Sequence, residues 1–292
     1  MKTFTTISEL LSIATELQQP LSEIIWQYEA ERNQRQPQDI WNEMRTALKV
    51  MREAVEKGLH QTDKSFSGLV GGDASRMAQR LSENSCLGST TSARAAAYAL
   101  AVSEVNANMG KVVACPTAGS CGILPGAMLA AAECLHCDED TLIRGLFTAA
   151  GIGMIIAENA SIAGAIGGCQ AECGSAAAMA AGAIVEIAGG TPQQVSEALA
   201  LALKNLLGLV CDPVAGLVEV PCVKRNAFGA AHALLAAEMA LAGIESAIPA
   251  DEVIDTMYQI GLAIPKSLRE TSEGGLAKTP TAQRITERLL NS

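Results

Sequence analysis

Nine cysteines, at positions 86, 115, 121, 134, 137, 169, 173, 211 and 222, are the residues of this chain with the widest choice of chemistry. As thiolates they are nucleophiles and soft-metal ligands, whereas thiols in apolar surroundings are small, inert hydrophobes. Their number is odd. The start, Met1 to Glu9, also lacks the apolar core and cleavage site of a secretory leader. Free thiols in a reducing cytoplasm are therefore expected, rather than a disulfide framework.

Local context separates the nine. Cys134-Leu135-His136-Cys137 has the spacing of half a zinc site, but no second pair complements it, so thiols near a helix terminus are the simpler reading. Cys115 and Cys121 bracket Pro116-Thr117-Ala118-Gly119-Ser120, a turn that can aim backbone N–H groups at a carboxylate if a helix follows. Cys86 has no motif around it. Cys169 follows Gly167-Gly168, Cys211 precedes Asp212-Pro213, and Cys222 follows Pro221 and precedes Lys224-Arg225-Asn226. These three sit at breaks in the chain, close to Gly, Pro or charged residues. That context suits a soft metal, with structural thiols as the competing reading.

The elements that must position these residues read as helices. Leu10, Ile13, Leu17, Leu21, Ile24 and Tyr28, and again Trp41, Met44, Leu48, Met51 and Val55, recur at helical spacing. They predict amphipathic segments within residues 1–58, the first kinked or split at Pro20. Lys64 to Asp73 reads as a loop. Beyond it the chain is rich in Ala and Gly, and helices are predicted over Thr91–Val105, Ala127–Cys134, Thr141–Ala157, Ser175–Ala188 and Pro192–Leu209. Breaks are expected at Gly110, Pro116 to Pro125, Gly167-Gly168, Gly189 to Pro192, Asp212-Pro213 and Pro221. Strand signals are scarce. The expected architecture is all-α: a compact bundle of Ala/Gly-rich helices with functional inter-helix loops, with residues 1–58 packed on a main domain of residues 59–292.

Composition narrows the function. Apolar residues make up 49% of the 292 and aromatics only 3%, so small side chains must fill the core and let helices approach closely. A formal net charge of −10 disfavours a nucleic-acid partner, which needs a basic footprint. The uncharged stretch Val112–Ala132 is interrupted by Pro116 and Pro125, and no membrane partner is expected.

Five phrases together are more specific than composition. Ser65-x-Ser67-Gly68-Leu69-Val70-Gly71-Gly72-Asp73, Glu104-Val105-Asn106-Ala107-x-Met109-Gly110, Pro116 to Pro125, Cys211 to Gly216, and Val220-Pro221-Cys222-x-x-Arg225-Asn226 resemble the iron-sulfur-dependent L-serine dehydratase family in order and spacing. The resemblance extends from about Lys64 to Ala282. It implies conversion of L-serine to pyruvate and ammonia on a [4Fe-4S] cluster held by Cys169, Cys211 and Cys222, with Cys173 as an alternative to the first. An iron left without a thiolate would act as Lewis acid toward the leaving hydroxyl. The resemblance further implies a substrate site drawn from Ser65, Ser67, Asn106, Thr117, Gly119, Ser120, Lys224 and Arg225. Single-chain members carry a second domain with a Ser-Ser-His-Thr loop, which this sequence lacks, so a separate beta subunit is the expected partner. No base is assigned: His60, His136 and His232 are the only histidines, and none lies in a recognisable catalytic motif. A lyase acting on L-cysteine or L-threonine and a non-catalytic metal or cluster scaffold are the alternatives.

Overall fold

The computed structural model describes residues 3–83 and 86–291. Among the described residues thirteen α-helices follow one another: α1 (Ile7–Leu17), α2 (Leu21–Arg32), α3 (Pro37–His60), α4 (Asp73–Ser82), α5 (Thr90–Ala107), α6 (Ile123–Leu135), α7 (Glu139–Asn159), α8 (Gly164–Gly167), α9 (Ser175–Ile187), α10 (Pro192–Asn205), α11 (Cys222–Leu241), α12 (Ala250–Ala263) and α13 (Pro280–Leu290). The fold is all-α, and extended pairing among these residues is confined to one isolated bridge between Cys211 and Arg269.

Local chemistry sets the ends of these helices. Thr6 and Glu9 form a capping box on α1, and Asp251 of α12 accepts hydrogen bonds from the Ile7 and Ser8 N–H groups of the same helix end (2.8 and 3.0 Å). The chain turns at Gln18 in the left-handed region (φ 52°), and Pro20 separates α1 from α2, the split that the proline predicts. Asp138 caps α7 through the Thr141 N–H (2.8 Å), and Thr191 with Gln194 boxes α10 ahead of Pro192. Pro125 behaves differently from the expected break. It lies in the first turn of α6, where the N–H that a proline lacks would have had no helical partner.

At the centre lies α9, buried at every residue except Glu186 and packed by α6, α7, α10 and α11. Alanine and glycine make this possible. A Cβ on Gly126 would stand 2.8 Å from Ala95 O and Ala99 N, so α6 lies on α5 at a separation that only glycine permits. Trp26, Trp41 and Phe147 join α2, α3 and α7, with ring centroids 5.0 Å apart (Trp26–Trp41) and 5.7 Å apart (Trp41–Phe147). Each such pair adds about 0.5–1.5 kcal/mol beyond burial. One apolar core runs from Phe4 to Met257. Ala118–Leu135 and Glu139–Asn159 are long and apolar enough to cross a bilayer by length and composition, and most of each is buried inside the fold.

Three helices begin close together at one end of the bundle. A single 3-10 turn (Ala118–Ser120) leads into α6, a π-helical turn (Gln170–Gly174) leads into α9, and α11 starts directly at Cys222. The two turns touch each other, and both touch α11.

Candidate functional site

Cys169 stands between Gly168, whose backbone is left-handed at φ 77°, and the π turn. π-helical turns are rare and cluster at functional sites. Here Gln170 holds the turn open. It is fully buried; its N–H donates to Leu209 O (2.9 Å), its Nε2 donates to Met257 O (2.8 Å) and its Oε1 accepts from the Gly208 N–H (2.8 Å). One side chain thus ties the Cys169 turn to α12 and to the segment that leads to Cys211. Cys211 is fixed by backbone bonds on both sides: its N–H donates to Leu268 O (2.9 Å), and the Glu270 N–H donates to its carbonyl (2.8 Å). Asp212, buried at 4% exposure, accepts from Arg225 Nη2 (3.0 Å) and the Leu276 N–H (2.8 Å).

The thiols share one electrostatic environment. The Cys169 and Cys173 sulfurs lie 3.3 Å apart in hydrogen-bond contact. That bond holds Cys169 below the usual thiol range, with Arg225 assisting against the cost of burial, and it drives Cys173 well above that range. Cys169 is accordingly the more acidic thiol of the pair. Burial raises Cys211, and the negative charges of Cys169 and Glu172 add to the rise; burial likewise lifts Cys222 to about 12, with Arg225 pulling it back. Among the described residues no three His, Cys, Asp or Glu side chains converge tightly enough to enclose a single ion. The Cys169, Cys211 and Cys222 thiols come from three separate elements, and their charges act on one another. The other cysteines lie elsewhere. Cys115 and Cys121 are buried in the core, Cys134 is exposed at the end of α6, and Cys137 contacts Ile187 O at 3.9 Å.

Against this thiol group lies the turn after Cys115. Thr117 Oγ1 donates to Glu172 Oε1 (2.6 Å) and lies 3.2 Å from Ser120 Oγ. Asn106 Nδ2 donates to Ala118 O (3.2 Å). Asn226, 1% exposed, locks the turn by donating to Gly119 O (2.7 Å) and Cys222 O (2.9 Å) and accepting from the Gly122 N–H (2.8 Å). Gly119 leaves room for Glu172, since a Cβ there would stand 2.9 Å from Oε1. A Cβ on Gly164 would meet Glu172 Oε2 at 2.7 Å and the Cys211 sulfur at 3.2 Å. Burial pushes the Glu172 carboxyl above the usual carboxylate range; the Thr117 hydroxyl works against this and Glu270 adds to it.

Of the residues expected to bind substrate, Asn106, Thr117, Gly119 and Ser120 are therefore brought together beside the thiols. Ser65 and Ser67 instead donate to one oxygen of buried Glu219 (2.7 and 2.6 Å), Lys224 pairs with Asp73, and Arg225 is held by Asp212 and Val210 O. The histidines are placed apart from this group. His60 and His136 line a cavity of about 620 Å³ with Tyr98 and Glu133, and His232 Nε2 lies 2.8 Å from Ala202 O. Glu172, Asn226, Gln170 and Glu219 were not singled out from the sequence. Glu172 carried a signal, as the one acid between Gly164 and Val185, a run of small and apolar residues around two cysteines.

Comparison with known proteins bears on this arrangement. A profile described as serine dehydratase alpha chain matches residues 16–277. The chain belongs to that family. A Bacillus subtilis protein named as a probable L-serine dehydratase alpha chain is 51% identical over 286 residues, covering 98% of this chain and 95% of the relative. The L-serine dehydratase alpha chain of Peptoniphilus asaccharolyticus is 41% identical, covering 96% of each. An L-serine dehydratase of Streptomyces coelicolor is 39% identical over 94% of this chain but only 60% of its own length. The Bacillus and Peptoniphilus alpha chains thus match this chain in extent, whereas the Streptomyces protein has a large further portion.

Proposed function

We propose that this chain carries the catalytic site of an L-serine dehydratase, eliminating water from L-serine to give pyruvate and ammonia in the cytoplasm, together with a separate beta chain. The observation that carries the reading is the meeting of Cys169, Cys211 and Cys222, from three elements, beside the polar turn Thr117–Ser120. The donor set fits a [4Fe-4S] cluster. It is all sulfur, the three thiols lie close enough to act on one another electrostatically, and Arg225 offsets negative charge at Cys169 and Cys222. When bound, the cluster would supply an iron without a thiolate ligand as Lewis acid for the departing hydroxyl.

The protein residues do the rest. The Thr117 and Ser120 hydroxyls and the backbone of the turn bind and orient the substrate, and Asn226 and Asn106 keep that backbone in place. Loss of the α-proton and the β-hydroxyl leaves an enamine, which hydrolyses to pyruvate and ammonia after release.

Support for a partner comes from the surface next to the site. Phe66 and Met109 are 98% and 94% exposed, and Val218 and Phe228 are also exposed. Each lies within three residues of a member of one small apolar cluster that includes Leu69, Ala107, Val220 and Ala227. Exposed large apolar side chains on the segments that build one cluster are candidates for an interaction surface, and the beta chain is its proposed occupant. Reconstitution of the chain under anaerobic conditions, with and without its beta chain, followed by measurement of pyruvate from L-serine, L-threonine and L-cysteine, tests the reading. Turnover of L-serine that needs iron and fades in air is expected. Undiminished turnover by iron-free protein refutes it.

A further inference from the structure

Glu172 is in an unfavourable position as the structure stands. It is half-buried, its Oε1 accepts from the Thr117 hydroxyl, and its Oε2 lies beside Gly164, next to the Cys211 sulfur. Charges drawn even partly out of water are normally paired, because a neighbouring cation offsets the hydration they lose. Among the described residues no cation does so. Arg225 is committed to Asp212 and Val210 O, Lys224 to Asp73, Arg269 donates to Ile166 O, and the charged group that acts on Glu172 is itself negative, Glu270. Thiolates gathered around iron would add to that excess. The space is also prepared. Glycine on both sides, at 119 and 164, leaves the carboxylate uncovered where any side chain would press on it. The surrounding π turn is held by the three bonds of Gln170, so Glu172 cannot readily swing away to solvent.

A site that lacks one positive charge, beside a turn of hydroxyls and N–H groups, matches a ligand with an ammonium and a carboxylate on one carbon. We infer that Glu172 is the residue that receives the α-ammonium of the amino-acid substrate, with Thr117 shared between the carboxylate of Glu172 and the substrate. The inference rests on the serine reading above. Glu172 would in that role be a specificity determinant: it distinguishes an α-amino acid from the corresponding hydroxy acid, which offers the same hydroxyl and carboxylate without the cation.

The probe pair is L-serine and 3-hydroxypropanoate, which differ by the amino group alone. With the cluster-loaded enzyme and its beta chain, the KM and kcat for L-serine and the inhibition constant of 3-hydroxypropanoate are measured for wild type, Glu172→Gln and Glu172→Asp. Loss of a charge-assisted bond in a buried site predicts a rise in the KM for L-serine on the order of 10- to 100-fold in Glu172→Gln. Binding of 3-hydroxypropanoate should stay the same or tighten, and Glu172→Asp should recover part of the serine affinity. Calorimetric titration of both compounds onto the same proteins gives the ratio independently of turnover. Equal weakening of both ligands overturns the inference, as does a loss confined to kcat with the affinity ratio unchanged, which would make Glu172 a proton carrier. Wild-type enzyme that binds neither compound overturns the serine reading itself, and the inference with it.

Discussion

Asn226→Ala is the substitution whose cost follows most directly from the structure. The side chain is 1% exposed and makes three hydrogen bonds, to Gly119 O, Cys222 O and the Gly122 N–H, all between 2.7 and 2.9 Å. A net hydrogen bond contributes about 0.5–1.5 kcal/mol, and a buried group left without its partner costs toward the top of that range or beyond. Gly122 is buried, so its N–H gains no water when Asn226 is removed. The sum is about 2–4 kcal/mol, a lowering of Tm by roughly 3–7 °C for a chain of this size. Because the same bonds hold the Thr117–Ser120 turn against the Cys222 end of α11, kcat/KM for L-serine should fall on the order of 100-fold, the scale expected when a binding loop shifts by an ångström. Scanning calorimetry and a pyruvate assay on the reconstituted enzyme measure the two effects. A variant with wild-type Tm and turnover would show that Asn226 does not position the turn.

Two further outcomes follow from residues away from the thiols. Glu186 accepts from Thr148 Oγ1 (2.6 Å) and from the Ser22 N–H at the start of α2, and burial raises its carboxyl above the usual range. The folded chain therefore holds that proton more tightly than the unfolded chain. The stability it contributes is full below the ordinary carboxylate pKa and is lost as pH rises through the shifted value. Tm followed from about pH 4 to pH 8 should decline less in Glu186→Gln than in wild type, and identical slopes would remove Glu186 from the account. Replacing Phe66 and Met109 together with serine should leave Tm unchanged, since both are almost wholly exposed, yet weaken beta-chain binding at least about tenfold by removing apolar contact; unaltered affinity in a titration by fluorescence anisotropy would place the partner elsewhere.

Much of the fold is legible in local sequence. Pro20 divides the first two helices, and the absence of alternating apolar patterns together with Ala/Gly content points to close-packed helices. The cysteine breaks were legible because glycine and proline mark where a helix cannot continue. The π turn at Gln170–Gly174 was not, because Gln170 stabilises it through Leu209, Gly208 and Met257, far away in sequence. Ser65 and Ser67 read as substrate ligands in a polar loop, but their partner Glu219 comes from a segment about 150 residues later, and nothing local announces it. The role of Glu172 is hidden in the sequence for a related reason. Its meaning lies in what it lacks, a cation, and only the folded arrangement of Arg225, Asp212, Lys224 and Asp73 shows where the nearby cations have gone.

In the proposed function Cys169, Cys211 and Cys222, and not the other six cysteines, hold the group on which the chemistry depends. Iron and acid-labile sulfide per chain, measured after anaerobic reconstitution of single Cys→Ala variants, test it most directly. About four of each are expected in wild type, Cys134→Ala and Cys137→Ala, with loss of the visible iron-sulfur absorption in Cys169→Ala, Cys211→Ala and Cys222→Ala. A Cys211→Ala chain that assembles a full complement of iron would contradict it.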